Sequence, residues 1–230
     1  MEPTNLAKIS DVRILSRMAR SIADEIRNPL TGIAGTVSLL KESLGEKSSL
    51  DKLRIIDECI VRIDSFIEDL YLLSRPVKPC FIQVDLGLFV EQVTEYFLKN
   101  SGREYQVLLE DTNLSVSADI VLLQQAITNI LKNAVDATGK NGMITISIGK
   151  EISTEANREV ASIKIQDNGK GINARTLERL FTPFYSTKHQ GRGLGLVIAL
   201  NYISIHNGDI KIESKKSQGT VVSIELPLDE

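Results

Sequence analysis

The stretch DIVLLQQAITNILKNAVDA, residues 119–137, carries two patterns at once. Leu122, Leu123, Ala126, Ile127, Ile130, Leu131 and Ala134 recur at the helical period and predict a helix with a broad buried face, capped at its start by Asp119. The other face aligns Gln125, Asn129, Lys132, Asn133 and Asp136 at spacings of three and four. Solvated helix faces are ordinarily rich in Lys and Glu. Two carboxamides one turn apart therefore read as the wall of a polar site as readily as plain surface.

Outward from this helix, β-rich runs at 105–109, 143–149, 160–166, 209–214 and 220–226 interleave with helical patterns at 86–99 and 194–204. That alternation predicts a separate α+β or α/β domain. Asp167-Asn168-Gly169-Lys170-Gly171 follows directly on an apolar strand. It reads either as a turn or as backbone opened to a planar ligand, with the Asp carboxylate free to accept from an exocyclic amine. Gly191-Arg192-Gly193-Leu194-Gly195-Leu196 leads into the helix at 194–204, where backbone N–H groups and the positive helix end favour phosphate. Lys188 and Arg192 add positive charge beside it. The glycine spacing is not that of the dinucleotide fingerprint and no βαβ unit precedes it, which excludes a Rossmann site.

Residues 4–75 have a different character. Apolar residues at Leu15, Ala19, Ile22, Ile26, Leu30, Ile33, Val37, Leu40 and Leu44 step by 4 and 3 with one stutter at Asn28-Pro29, where proline predicts a kink. A turn is expected over 45–49, then a second seam at Leu53, Ile56, Ile60, Ile63, Ile67 and Leu70. One antiparallel hairpin leaves such a stripe bare. Pairing two copies into a four-helix bundle covers it and predicts a homodimer, the alternative being cover by the chain's own second domain. Arg75-Pro76-Val77-Lys78-Pro79 ends the second helix and reads as a linker.

Composition narrows the function classes. With 27 Lys+Arg against 30 Asp+Glu, 42% hydrophobic and 25% charged residues, the chain is an ordinary globular one without the basic balance of a nucleic-acid binder. No apolar run is long enough to span a bilayer within this chain, which leaves room for a membrane segment in a longer protein. Cys59 and Cys80 read as two reduced thiols of a cytoplasmic protein, and two histidines are too few for most His-based metal sites.

In this order, the 129–133, 167–171 and 191–196 segments and Gly219-Thr220 resemble the N, G1, G2 and last glycine motifs of the GHKL ATPases. Phe181-Thr-Pro-Phe-Tyr-Ser-Thr-Lys188 is similar to the F box and lid of sensor histidine kinases, and Asp24-Glu25-Ile-Arg-Asn28-Pro-Leu30 to their phosphoacceptor H box. The resemblance implies three parts: a dimerisation and phosphotransfer hairpin at 1–76, a linker at 77–82, and a two-layer α/β sandwich of the GHKL type at 83–230. It implies ATP and Mg²⁺ held by Asn129, Lys132, Asn133, Asp136, Asp167, Gly169, Gly171, Lys188, Gly191, Arg192, Gly193, Leu194, Gly195 and Thr220. Asn133 takes the Mg²⁺ and a response regulator is the partner. Asp24, Glu25 and Asn28 form the catalytic set of the hairpin.

One residue departs from the pattern. The family's phosphoacceptor histidine is Asp24 here; His189 falls in the lid and His206, read as structural, near a helix end. Position 24 lies about 200° around the helix from both Ile22 and Ile26 and faces away from the bundle core. A carboxylate there forms no phosphoramidate and repels phosphates, so autophosphorylation is expected to be blocked. Three readings fit: an ordinary kinase with histidine changed to aspartate, a nucleotide-binding pseudokinase or scaffold, and a response-regulator phosphatase using Asn28. The intact ATP motifs favour the first.

Overall fold

The computed structural model describes residues 26–27, 30–35, 37–38, 47–74, 77–99, 101–111, 114–139, 142–153, 157–188 and 192–228. The chain divides into two units, Met1–Val77 and Lys78–Glu230.

In the first unit the described residues of helix α1 fall within 26–38, and α2 spans Lys47–Ser74. Ile26, Leu30 and Ile67 pack together, and the Arg27 guanidinium donates to Glu68 at 2.9 Å and lies 3.8 Å from Asp64. The first described residues of α1 therefore meet late residues of α2, as in the expected antiparallel hairpin. Residues 47–49 of the expected turn at 45–49 belong instead to α2, which runs from Lys47. Leu53, Ile67 and Leu70 of the seam are buried, while Ile33, Ile56 and Ile63 stay 47%, 42% and 40% exposed. The kink at Asn28-Pro29 and the catalytic candidates Asp24, Glu25 and Asn28 lie outside the described residues.

The second unit is built on a five-stranded sheet in the order β2-β4-β5-β7-β6, with β2 (Glu104–Leu109), β4 (Met143–Ser153), β5 (Arg158–Asp167), β6 (Asp209–Ser214) and β7 (Thr220–Pro227). Only β2 and β4 pair in parallel. Period-2 alternation gives this sheet one apolar face. Ile148, Ile163, Ile224 and Ile210 stand in one cross-strand row, Ile146, Ile165 and Val222 in the next, and all are buried. The opposite face carries Lys164, paired with Glu151, and Lys211, paired with Glu225.

Helices α4 (Ile120–Ala137) and α6 (Gly195–Ile205) pack on each other and cover the apolar face, completing the two-layer sandwich. Helix α3 (Leu86–Leu98) is capped by Asp85, whose carboxylate accepts the Leu88 N–H at 3.0 Å. Strands β1 (Ile82–Asp85) and β3 (Ser115–Ala118) form a separate antiparallel pair that the sequence did not announce; four residues are too few to show a period. The expected linker at 77–82 is likewise shorter, since Ile82 opens β1 and the Cys80 N–H donates to Asp119 at 2.8 Å. Among the described residues no helix is long and apolar enough to cross a membrane.

Candidate functional site

Asp167 decides the chemistry of the site. It ends β5 on the side of Ile163 and Ile165, where alternation calls for an apolar residue, opposite Ile144 and Thr220. It is 5% exposed, and its Oδ1 accepts the Gly169 N–H at 2.8 Å. Burial pushes its carboxyl above the ordinary carboxylate range, against the pull of the Gly169 and Thr220 N–H bonds. A carboxylate is kept in such a position only where something compensates for its desolvation.

Above it opens a cleft of about 110 Å³ between sheet and helices. Ile130, Ala134, Ile165, Leu196 and Val222 form apolar walls, and Asn133, Lys188, Gly171 and Thr220 add polar atoms to its lining. An apolar slot with one acceptor at its floor suits a flat heteroaromatic base that offers an amine. Chain approaches around it are tight. Gly219 has φ 82°, and a Cβ there would lie 2.0 Å from the Asp167 carbonyl oxygen. Gly193 has φ 68°, and a Cβ there would lie 2.5 Å from the Tyr185 carbonyl oxygen.

The polar face of α4 leads outward from the slot. Asn133 Oδ1 and Asp136 Oδ2 both accept from the Lys188 ammonium, at 2.7 and 2.8 Å. Asn129 lies against the start of α6, where a Cβ on Gly195 would approach its Oδ1 to 3.2 Å. No side chain caps that start, although Leu194 occupies the cap position. The residues of the sequence reading thus come together in two groups: Asp167, Gly171 and Thr220 line the cleft together, and Asn133 and Asp136 meet on the Lys188 ammonium.

Other candidates fall elsewhere. Lys132 is exposed and does not line the cleft. The Leu194 side chain is fully buried, leaving only its backbone to face a ligand. Arg192 is half-buried near the lid, and Gly191 lies outside the described residues, as does His189. Sequence reasoning missed Thr176, Leu180 and Thr187, which line the cleft from the short helix α5 (Ala174–Leu177), the turn after it and the lid. Its one local signal is Asn173, which caps Thr176 at 3.0 Å. The lid is anchored there: Arg179 stacks over the Tyr185 ring at 4.2 Å, and the Tyr185 hydroxyl lies 3.5 Å from Thr176 Oγ1.

His206 is structural, as its place near a helix end indicated. Its Nε2 accepts the Asp119 N–H at 3.0 Å, which puts a ring proton on Nδ1, 2.7 Å from the Tyr202 carbonyl. Phe81 meets the ring edge-on at 5.3 Å.

Slot, buried carboxylate, carboxamide helix and mixed sheet define an ATPase-type nucleotide fold, and the comparisons agree. Residues 118–230 match the family described as histidine kinase-, DNA gyrase B- and HSP90-like ATPase, and residues 14–78 the His Kinase A (phospho-acceptor) domain. The chain belongs to the sensor histidine kinases. It is 35% identical to sporulation kinase C of Bacillus subtilis over 94% of this chain and 49% of that one, and spans about half the length of the curated relatives it matches, or less. The catalytic domain of histidine kinase ThkA is 29% identical with a TM-score of 0.56, over 65% of this chain and 96% of that domain. ThkA in complex with the response regulator TrrA is 26% identical with a TM-score of 0.69, over 96% of this chain and 64% of that one.

Proposed function

We propose that this chain is the catalytic core of a two-component sensor kinase that binds Mg·ATP in the cleft. The buried Asp167 under an apolar slot carries the reading. Its carboxylate accepts from the adenine amine while Ile130, Ala134 and Ile165 sandwich the ring. Lys188, Arg192 and the backbone N–H groups at the start of α6 would hold the phosphates. The oxygens of Asn133 and Asp136 already hold a cationic nitrogen, so their chemistry fits the hard cation that accompanies ATP. When bound, that cation supplies charge neutralisation at the phosphates. Everything else is positioning by Asp167, Asn129, Lys188 and the lid.

In the hairpin, two copies pair over the apolar residues that one copy leaves exposed, present position 24 and dock the receiver domain of a response regulator. ThkA, solved with such a regulator, supports that partner. Asp24 blocks the first transfer in this chain, and that single residue favours a second reading. Without an acceptor, the same fold serves as a scaffold or as a regulator phosphatase in which Asn28 positions water.

Asp24→His incubated with labelled ATP separates the two. Acid-labile label on the restored chain, absent from the parent and from Asp24→His/Asn133→Ala, is the kinase outcome. Bound ATP without label on the restored chain sinks it in favour of the scaffold. Loss of phosphate from a phosphorylated regulator, abolished by Asn28→Ala, is the phosphatase outcome.

A further inference from the structure

Lys188 comes from the lid and ends on two oxygens of one helix face. Its ammonium donates to Asn133 Oδ1 at 2.7 Å and to Asp136 Oδ2 at 2.8 Å, and both side chains of the Lys188–Asp136 pair are only partly exposed. Residues three apart are neighbours on a helix, so a carboxamide and a carboxylate oxygen converge on one point. Those are the donor types a hard divalent cation takes, and a lysine ammonium is the compact point charge best suited to stand in for one. Among the described residues no group of three or more His, Cys, Asp or Glu offers another cation site. Such a sparse seat suits a cation that keeps waters and phosphate oxygens as its remaining ligands.

We propose that Asn133 and Asp136 form a divalent-cation seat which the Lys188 ammonium fills until a nucleotide-borne cation displaces it. The inference rests on the Mg·ATP reading and adds Lys188 as a built-in competitor for the cation. Lys188 and Asp136 neutralise each other while the seat is filled from within. A divalent ion arriving there replaces one positive charge by two and releases the ammonium beside the phosphates, the nearest strong acceptors for it. Lys188 lines the same cleft, and its flexible stem allows the head to change partners. The lid is thereby coupled to the cation: parked on α4 without it, drawn over the phosphates with it. Nucleotide lacking a divalent ion meets a lysine already engaged, so its affinity depends on the ion more steeply than metal–phosphate contacts alone dictate.

The test uses the full chain without nucleotide and Mn²⁺ as the probe, with free ion followed by electron paramagnetic resonance. Lys188→Met is expected to bind Mn²⁺ at least about fivefold tighter than the parent, the scale set by losing a half-exposed ion pair. Lys188→Met/Asp136→Asn is expected to lose that gain, and thermal melts of each variant establish that it is folded. An unchanged Mn²⁺ affinity in a folded Lys188→Met, or a gain that survives in the double variant, overturns the seat. Titrating the parent with a fluorescent ATP analogue in Mg²⁺ keeps the two ideas apart: absence of binding there overturns the nucleotide reading, whereas binding without the Mn²⁺ effect overturns only the seat.

Discussion

Asp167 is a residue whose two roles pull in opposite directions with pH. Burial raises its folded-state pKa, so it favours the folded state below the unfolded value and loses that contribution as pH rises through the folded one. Asp167→Asn keeps an oxygen for the Gly169 N–H and removes the buried charge. Its melting temperature at neutral pH is therefore expected to be no lower than the parent's, read by calorimetry. Its nucleotide affinity is expected to fall about 10- to 100-fold, the worth of a charge-assisted hydrogen bond, read by titration calorimetry. In the parent the same affinity weakens as pH falls through the raised pKa, because the acceptor takes a proton. Gly219 shows the steric side of the site. A methyl group placed 2.0 Å from the Asp167 carbonyl at φ 82° has nowhere to go. Gly219→Ala is expected to destabilise the second unit by about 2–3 kcal/mol in denaturant melts.

At the scale of elements, the start of α4 is the joint that holds this helix in place. Asp119 Oδ1 accepts the Val121 and Leu122 N–H groups, its Oδ2 accepts the Cys80 N–H, and its own N–H donates to His206 at the end of α6. Burial raises the Asp119 pKa, but the bonds from Cys80, Leu122 and Val121 outweigh it and leave the group below its ordinary value. Its contribution is thus present above the unfolded-state pKa and lost as pH falls through the lower folded one. Asp119→Ala is expected to cost about 1–2 kcal/mol at neutral pH, roughly 3–6 °C in Tm, with the gap to the parent narrowing in acid. Element existence was legible wherever a run was long enough to show its period. Helix α4 begins within one residue of its expected start, and β6 spans the residues expected of it. Elements of four residues were not legible: β1 and β3 exist by pairing with each other across about thirty positions, and α5 is one capped turn too short to show a period.

At the scale of the whole molecule, the hairpin leaves Ile33, Ile56 and Ile63 exposed on a seam whose other described members are buried or half-buried. A second copy that covers them makes the assembly sensitive to one charge there. Ile63→Glu is expected to shift the chain from dimer to monomer in sedimentation experiments while nucleotide affinity in the second unit stays unchanged.

The sequence by itself determined the helix faces, the longer strands, the order of the nucleotide motifs and the aspartate at position 24. Those are properties of residue type and local spacing, and the backbone periods of 3.6 and 2 read them directly. Tertiary structure alone decided which of those residues share a site. Lys188 reaches Asn133 across 55 positions and Asp136 across 52, and His206 reaches Asp119 across 87. It also buried Asp167, which its local sequence left open as a turn residue or a ligand acceptor, beneath the helical layer. The physical reason is that burial, and with it the strength of every charge and hydrogen bond in the cleft, depends on what packs overhead, and no local spacing carries that information.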